Sequence, residues 1–379
     1  MREFRWGILG TGYAARQFVL GLRAAEPAKA VIVVSRSSEK AERFARSLGI
    51  PRAYGRCEQA LGDDSVDAFY VATPPSLHCD HALLCLNAGK PVLVEKPFAV
   101  NAMEARTIVE VARARSLFCM EAMWTRFMPL VRHVKSMVVK GIVGDLRILT
   151  GSFGLAESPD PRNNLFSPEF GGGALLDRGV YPISLAFHLM GPAEGIVGDA
   201  IIGDTGVDEE VAVTLRSKTG GLGILHASLR TQCSNDLVIM GTNARVHLYP
   251  PIYRPFRMTV TPIHQRAFAP SGPSWIEAFK DSHRVHRAFQ GLSRLGSPVL
   301  NRHCRHHSER YAGNGYHYQA DEVMRCVRSG KLESAIMPLA ESLSIMEALD
   351  TIRSQWATGQ SGADRLKGRG EADRGGGKP

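Results

Sequence analysis

The feature that most constrains this chain lies at its amino end. Phe4-Arg5-Trp6-Gly7-Ile8-Leu9 reads as a strand, and it runs into Gly10-Thr11-Gly12-Tyr13-Ala14-Ala15, a G-x-G-x-x-A turn. A helical run with apolar Phe18, Leu20 and Leu22 follows. In such a strand–turn–helix unit the first glycine permits the tight turn and the second lets backbone approach a pyrophosphate. The small Ala15 lets helix and strand pack closely, and the free N–H groups at the helix start face the phosphates. The pattern predicts a dinucleotide-binding α/β domain, with Gly10, Thr11, Gly12, Tyr13 and Ala14 as cofactor contacts.

The second strand, residues 30–34, ends in Ser35-Arg36-Ser37-Ser38, with Lys40 close by. A site preferring NAD places a carboxylate here for the ribose 2′-hydroxyl. Hydroxyls and a guanidinium instead suit a 2′-phosphate. Ser35, Arg36 and Ser37 therefore predict NADP as cofactor, with NAD possible if Arg36 only stacks on adenine. A strand over 68–72 ends in Thr73-Pro74-Pro75, which places Thr73 and Pro74 at the ligand edge. His78 has two readings, a contact to the nicotinamide ribose or a cap on the helix 79–88.

Val92-Leu93-Val94-Glu95-Lys96-Pro97 is the next strand end. Proline holds the residue before it extended, so Lys96 sits at the carboxyl edge, where open α/β sheets bind ligands. There a lysine either holds a substrate oxygen or is simply solvated. Asn101 caps a helix to about residue 115. A strand over 117–121 then leads to Trp124 and Arg126, which suit a site wall. Further on, Asp177 and Tyr181 are four residues apart, so in a helix they share a face. A carboxylate, a phenol and a lysine make a proton-handling group, although a core role for Tyr181 is equally open and Pro182 interrupts the helix. Strands are expected over 145–153, 208–215, 223–231 and 236–241, and helices over 129–140, 316–328 and 338–356. The expected division is a Rossmann domain over 1–123, a second α/β domain over 124–358 and a disordered tail over 359–379.

Composition removes several function classes. No apolar run reaches the roughly 18 residues that span a membrane, and no leader-like segment opens the chain, so no membrane association and a cytoplasmic location are expected. The seven cysteines form no CxxC pair, and their odd count and scatter predict reduced thiols. No metal is expected: the densest ligand cluster, His303-Cys304-Arg305-His306-His307, is strongly basic. The net charge of +9 is concentrated. Residues 264–310 hold eight basic against three acidic side chains, and the tail from 361 holds five against three. The remaining body is nearly neutral and no nucleic-acid motif accompanies the basic stretch, so a nucleic-acid partner is not expected.

Taken together, Glu95-Lys96-Pro97, Glu121-Ala122-Met123-Trp124-Thr125-Arg126-Phe127, Gly144-Asp145-Leu146-Arg147, the run Gly171 to Pro182 and Pro338-Leu339-Ala340-Glu341-Ser342 resemble the Gfo/Idh/MocA oxidoreductases. Within that family the chain resembles the branch of the dimeric dihydrodiol dehydrogenases, also described as NADP-dependent D-xylose dehydrogenases. The resemblance implies a Rossmann domain followed by an α/β domain with a large open, mostly antiparallel sheet, whose outer face makes a homodimer or homotetramer contact. It also implies hydride transfer between a nicotinamide and a carbinol or carbonyl carbon of a sugar, cyclic polyol or dihydrodiol. Lys96, Asp177 and Tyr181 match the family's catalytic positions, and Glu95, Trp124 and Arg126 fall among its cofactor-side motifs. Two other classes share the fold, an NAD-using glycoside hydrolase and a cofactor-sensing regulator. The basic stretch 262–312 departs from the branch, which puts the transfer of a particular substrate in doubt.

Overall fold

Six short strands in the first part of the chain are almost wholly apolar, as a sheet buried on both faces requires. In the computed structural model, which describes residues 2–25, 27–263, 282 and 304–357, they alternate with helices. The order is β1 (Phe4–Leu9), α1 (Tyr13–Gly21), β2 (Ala28–Val34), α2 (Ser38–Leu48), β3 (Arg52–Tyr54), α3 (Cys57–Leu61), β4 (Ala68–Val71), α4 (His78–Asn87), β5 (Val92–Glu95), α5 (Ala102–Ala114) and β6 (Cys119–Ala122). The strands lie in the order β3-β2-β1-β4-β5-β6 and every pair is parallel. The chain reverses direction across the sheet between β1 and β4, which opens a crevice at their carboxyl ends.

Local chemistry sets these boundaries. Ser37 accepts from the amide of Lys40 at 3.3 Å and starts α2, and Asn101 accepts from that of Glu104 at 2.8 Å and starts α5. Packing of α1 onto the sheet is aromatic. Phe18 meets Trp6 edge-on at 5.0 Å and stacks on Tyr70 at 4.0 Å.

The second part contains α6 (Pro129–Val139), β7 (Leu146–Gly154), α7 (Val180–Met190), β8 (Ala193–Ile202), β9 (Asp208–Ser217), β10 (Leu222–Ser228), β11 (Leu237–Gly241), β12 (Ala244–Leu248), β13 (Arg257–Pro262) and β14 (Arg305–Ser308). Two helices, α8 (His317–Arg328) and α9 (Leu339–Ala357), follow. The sheet order is β14-β13-β12-β11-β7-β10-β9-β8, and only β7 and β10 pair in parallel. Burial alternates along β9 and β10, so one face packs under α7 and α9 while the other is open. The carboxyl-terminal segment also returns to the first sheet. Asp350 accepts from the amide of Ala102 at 2.7 Å, Glu347 pairs with Arg106 at 2.6 Å, and Asn314 donates to the carbonyl of Gln17 at 2.8 Å. The two parts are therefore tied by more than one chain crossing.

Most of the basic stretch 262–312 and the tail 359–379 lie outside the described residues, and Arg305–Ser308 of that stretch forms the edge strand β14. Among the described residues no helix is long and apolar enough to cross a membrane, and no group of His, Cys, Asp or Glu is arranged to hold a metal ion.

Candidate active site

The turns after β1, β2, β4 and β5 open one cleft of about 1230 Å³, closed on the far side by the second sheet. Its first end is built for phosphate. Gly10 sits at φ +111, where a Cβ would lie 2.3 Å from the carbonyl oxygen of Ala72, so only glycine fits. At Gly12 nothing lies within 4 Å of such a Cβ, which leaves the backbone open to the cleft. The start of α1 has neither a side-chain cap nor an acid in its first turn, so its amide donors and positive dipole end are unused. Thr11, Tyr13 and Ala14 complete this wall. Ser35, Arg36 and Ser37 line the adjoining corner with Lys40 and Arg56. Arg36, Lys40 and Arg56 are exposed and have no acidic partner among the described residues. This donor set fits a dinucleotide carrying a 2′-phosphate. Arg56 was not legible as a site residue from its own neighbours. It arrives because β3 pairs with β2, where the amide of Ser35 donates to the carbonyl of Tyr54 at 3.1 Å.

The other end is built for proton transfer. Lys96 leaves the carboxyl end of β5 and donates through Nζ to Asp177 twice, to Oδ1 at 2.8 Å and to the backbone oxygen at 2.9 Å. The same Nζ lies 5.0 Å from the centre of the Tyr181 ring. Trp124 Nε1 donates to Tyr181 Oη at 3.1 Å. Asp177 and Tyr181 come together through a wide π turn, Leu175–Gly179, that leads directly into α7 and leaves Pro182 in the first turn of that helix, where its missing N–H costs little. Behind Lys96, Glu95 accepts from its amide at 3.0 Å and from the Tyr70 hydroxyl.

Electrostatics set the protonation states. Burial works against the Lys96 cation, but Asp177, Tyr181 and Glu95 outweigh it and hold its pKa above the ordinary lysine value. For Tyr181 burial wins. Its pKa is pushed up to about 12 although Lys96 and the Trp124 hydrogen bond both pull it down. The nearby Lys96 cation does favour the ionised phenol, but desolvation is larger. Glu95 is likewise raised, first by burial.

Two sequence-based assignments need correction. Arg126 does not reach the cleft. It is 0% exposed; Nε donates to Ser184 Oγ at 2.8 Å, Nη2 to Ser184 O at 2.7 Å, and Nη1 pairs with Glu341 at 2.9 Å. It joins α7 to α9. His78 lines the wall, but its Nδ1 is 2.8 Å from the carbonyl of Pro97 and its Nε2 is 2.9 Å from that of Thr73. Burial pushes its pKa down to about 4, and the ring ties two strand ends rather than capping a helix or presenting a free nitrogen to a ligand. Thr73, Pro74 and Trp124 do line the cleft. Its aromatic wall was missed. Phe153 meets Tyr181 edge-on at 5.3 Å, Tyr253 lies 5.8 Å from Trp124, and Tyr316 stacks on Trp124 at 4.5 Å.

Comparison with known proteins agrees with this construction. Residues 4–123 match the Gfo/Idh/MocA oxidoreductase family with its NAD-binding Rossmann fold, and residues 131–247 match the Gfo/Idh/MocA C-terminal domain. The trans-1,2-dihydrobenzene-1,2-diol dehydrogenase of Sus scrofa is 33% identical over 353 residues, which is 92% of this chain and 96% of that protein. The D-xylose 1-dehydrogenase (NADP(+)) of Hypocrea jecorina is 32% identical over 382 residues, covering 91% and 90%. Among solved structures, a levoglucosan dehydrogenase in complex with NADH and levoglucosan has the same fold, with a TM-score of 0.76, 20% identity and coverage of 94% and 98%. A 3-ketoreductase from Actinomadura kijaniata with NADP and TDP-benzene superposes with a TM-score of 0.73 at 24% identity, covering 93% and 98%. The chain belongs to the Gfo/Idh/MocA family of oxidoreductases.

Proposed function

We propose that this cleft moves a hydride between NADP and a carbinol or carbonyl carbon of a sugar, cyclic polyol or dihydrodiol, with Lys96, Asp177 and Tyr181 handling the proton. The observation that carries the reading is the contact set Asp177–Lys96–Tyr181–Trp124 in the same cleft as the glycine cradle. When bound, the nicotinamide supplies or accepts the hydride. Everything else falls to this chain. In reduction the neutral Tyr181 gives its proton to the carbonyl oxygen as charge develops there. Lys96, kept cationic, stabilises both the tyrosinate and the substrate oxygen. Asp177 fixes the ammonium in place. Oxidation runs the path backwards, with the substrate hydroxyl proton passing to the ionised phenol.

The cations Arg36, Lys40 and Arg56, which have no acidic partner among the described residues, support NADP over NAD. The open sheet face carries exposed Ile148, Val197, Ile201, Leu222 and Ile224, an apolar surface that supports a homo-oligomer built on this face. Cys57, Cys79, Cys85, Cys119, Cys233 and Cys326 are thiols, which suits a reducing compartment such as the cytoplasm. The reading is tested by supplying NADP with a panel of aldoses, cyclic polyols and trans-dihydrodiols and measuring stoichiometric NADPH formation. Tight cofactor retention with no net NADPH on any member, and no NADPH consumption with the matching carbonyls, would contradict it.

A further inference from the structure

Among the described residues, the cations around the chemical end of the cleft are spoken for, with one exception. Lys96 is held by Asp177. Arg178 is buried and spends its donors on the carbonyls of Leu155 and Ser228 and on Glu157. Arg254 lines the same cleft, is exposed, and has no carboxylate partner among the described residues. Its backbone is nevertheless fixed. Its amide donates to the carbonyl of Pro251 at 3.0 Å, and its carbonyl accepts from the Tyr311 hydroxyl at 3.5 Å. The preceding carbonyl, that of Tyr253, accepts from Thr125 Oγ1 at 2.9 Å, which anchors this turn to the base of the cleft. The guanidinium lies 5.7 Å from the Tyr253 ring centre, and that ring is 6.5 Å from the ring of Tyr181. A free guanidinium therefore stands on the aromatic wall that leads to the reacting position.

Resting on the hydride-transfer reading, we propose that Arg254 recognises an anionic group on the substrate, so that the preferred substrate is an acidic carbinol, carrying a carboxylate or a phosphate away from the reacting carbon. A guanidinium pairs with either group through two parallel N–H donors. The cofactor diphosphate already has the glycine turn and the uncapped start of α1 to bind it. Arg254 is left for the second ligand.

The test uses the full-length protein loaded with NADPH. Quenching of nicotinamide fluorescence is titrated with D-glucose, D-glucuronate and D-glucose 6-phosphate, and KM and kcat are measured with NADP for the same sugars. The wild type should bind at least one acidic sugar about tenfold or more tightly than glucose. Arg254→Ala should abolish that difference, Arg254→Lys should keep part of it, and the NADPH Kd should stay within about twofold. The carboxylate and phosphate arms tell which anion fits. Equal binding of neutral and acidic sugars by the wild type would overturn the proposal, as would an Arg254→Ala variant whose main loss is NADPH affinity. Arg254-dependent binding of acidic sugars with no hydride transfer would uphold the anion site and contradict the oxidoreductase reading. Turnover of neutral sugars alone would do the reverse.

Discussion

Replacing Arg126 by Met should damage the fold and spare the cofactor site. The side chain is fully buried and all three of its nitrogens are engaged, Nε and Nη2 by Ser184 and Nη1 by Glu341. Methionine keeps the aliphatic stem and leaves the Ser184 carbonyl and hydroxyl without their donors, each at about 1–3 kcal/mol. It also strands the Glu341 carboxylate, and breaking a buried ion pair costs about 3–5 kcal/mol. Glu341 is 26% exposed and regains some water, so its loss falls at the lower end, roughly 3 kcal/mol, and with the two Ser184 groups the total is about 5 kcal/mol or more. Urea unfolding followed by tryptophan fluorescence reads the loss, and NADPH titration of the folded variant reads the site. The double variant Arg126→Met with Glu341→Gln should regain about 1 kcal/mol or more, because the unpaired charge is gone. An unchanged unfolding midpoint with an NADPH Kd raised tenfold would refute the reasoning and return Arg126 to the cleft.

Arg36→Ala should raise the NADPH Kd by about tenfold or more, as loss of a charge-assisted bond to phosphate implies, and leave the NADH Kd nearly unchanged; fluorescence titration checks both. Glu121 is fully buried, neither carboxylate oxygen meets a well-formed hydrogen bond, and burial pushes its pKa up to about 7 against the pull of Ser342 and Arg126. A raised acid stabilises the fold below its unfolded pKa and loses that contribution as pH rises through the folded value. Relative to Glu121→Gln, the wild type should therefore lose on the order of 3 kcal/mol between about pH 4.5 and 7 and little beyond, measured by urea unfolding across pH. Because burial holds Tyr181 up to about 12, oxidation should quicken with pH through the alkaline range while reduction does not, as initial rates in the two directions would show.

The first sheet was legible because each strand is a short apolar run closed by turn residues, and Asn101 announced its helix by its side chain. The strand Ala193–Ile202 was not. It carries glycines at 195 and 198 and alternates poorly, since its solvent face is itself apolar at Val197 and Ile201. Lys96, Asp177 and Tyr181 were singled out by strand-end position, by helical spacing and by the family resemblance, and the structure brings the three together. Arg126 was misassigned for the same reason. Type and position resembled a site residue, but the 3₁₀ turn Trp124–Phe127 sends Trp124 to the cleft and Arg126 into the junction between helices. Tyr253 and Tyr316 carry no local signal at all. They meet Trp124 from segments more than a hundred residues away, and only tertiary packing brings them there.

The central claim is that Tyr181 exchanges the proton with substrate while Lys96 supports it by charge. Turnover and NADPH affinity of Tyr181→Phe, measured on the best substrate of the panel, test it most directly. In this variant kcat should fall by about 10²–10⁴-fold, with an NADPH Kd within about twofold of wild type. Near-normal turnover in this variant would contradict it and leave Lys96 as the group that moves the proton.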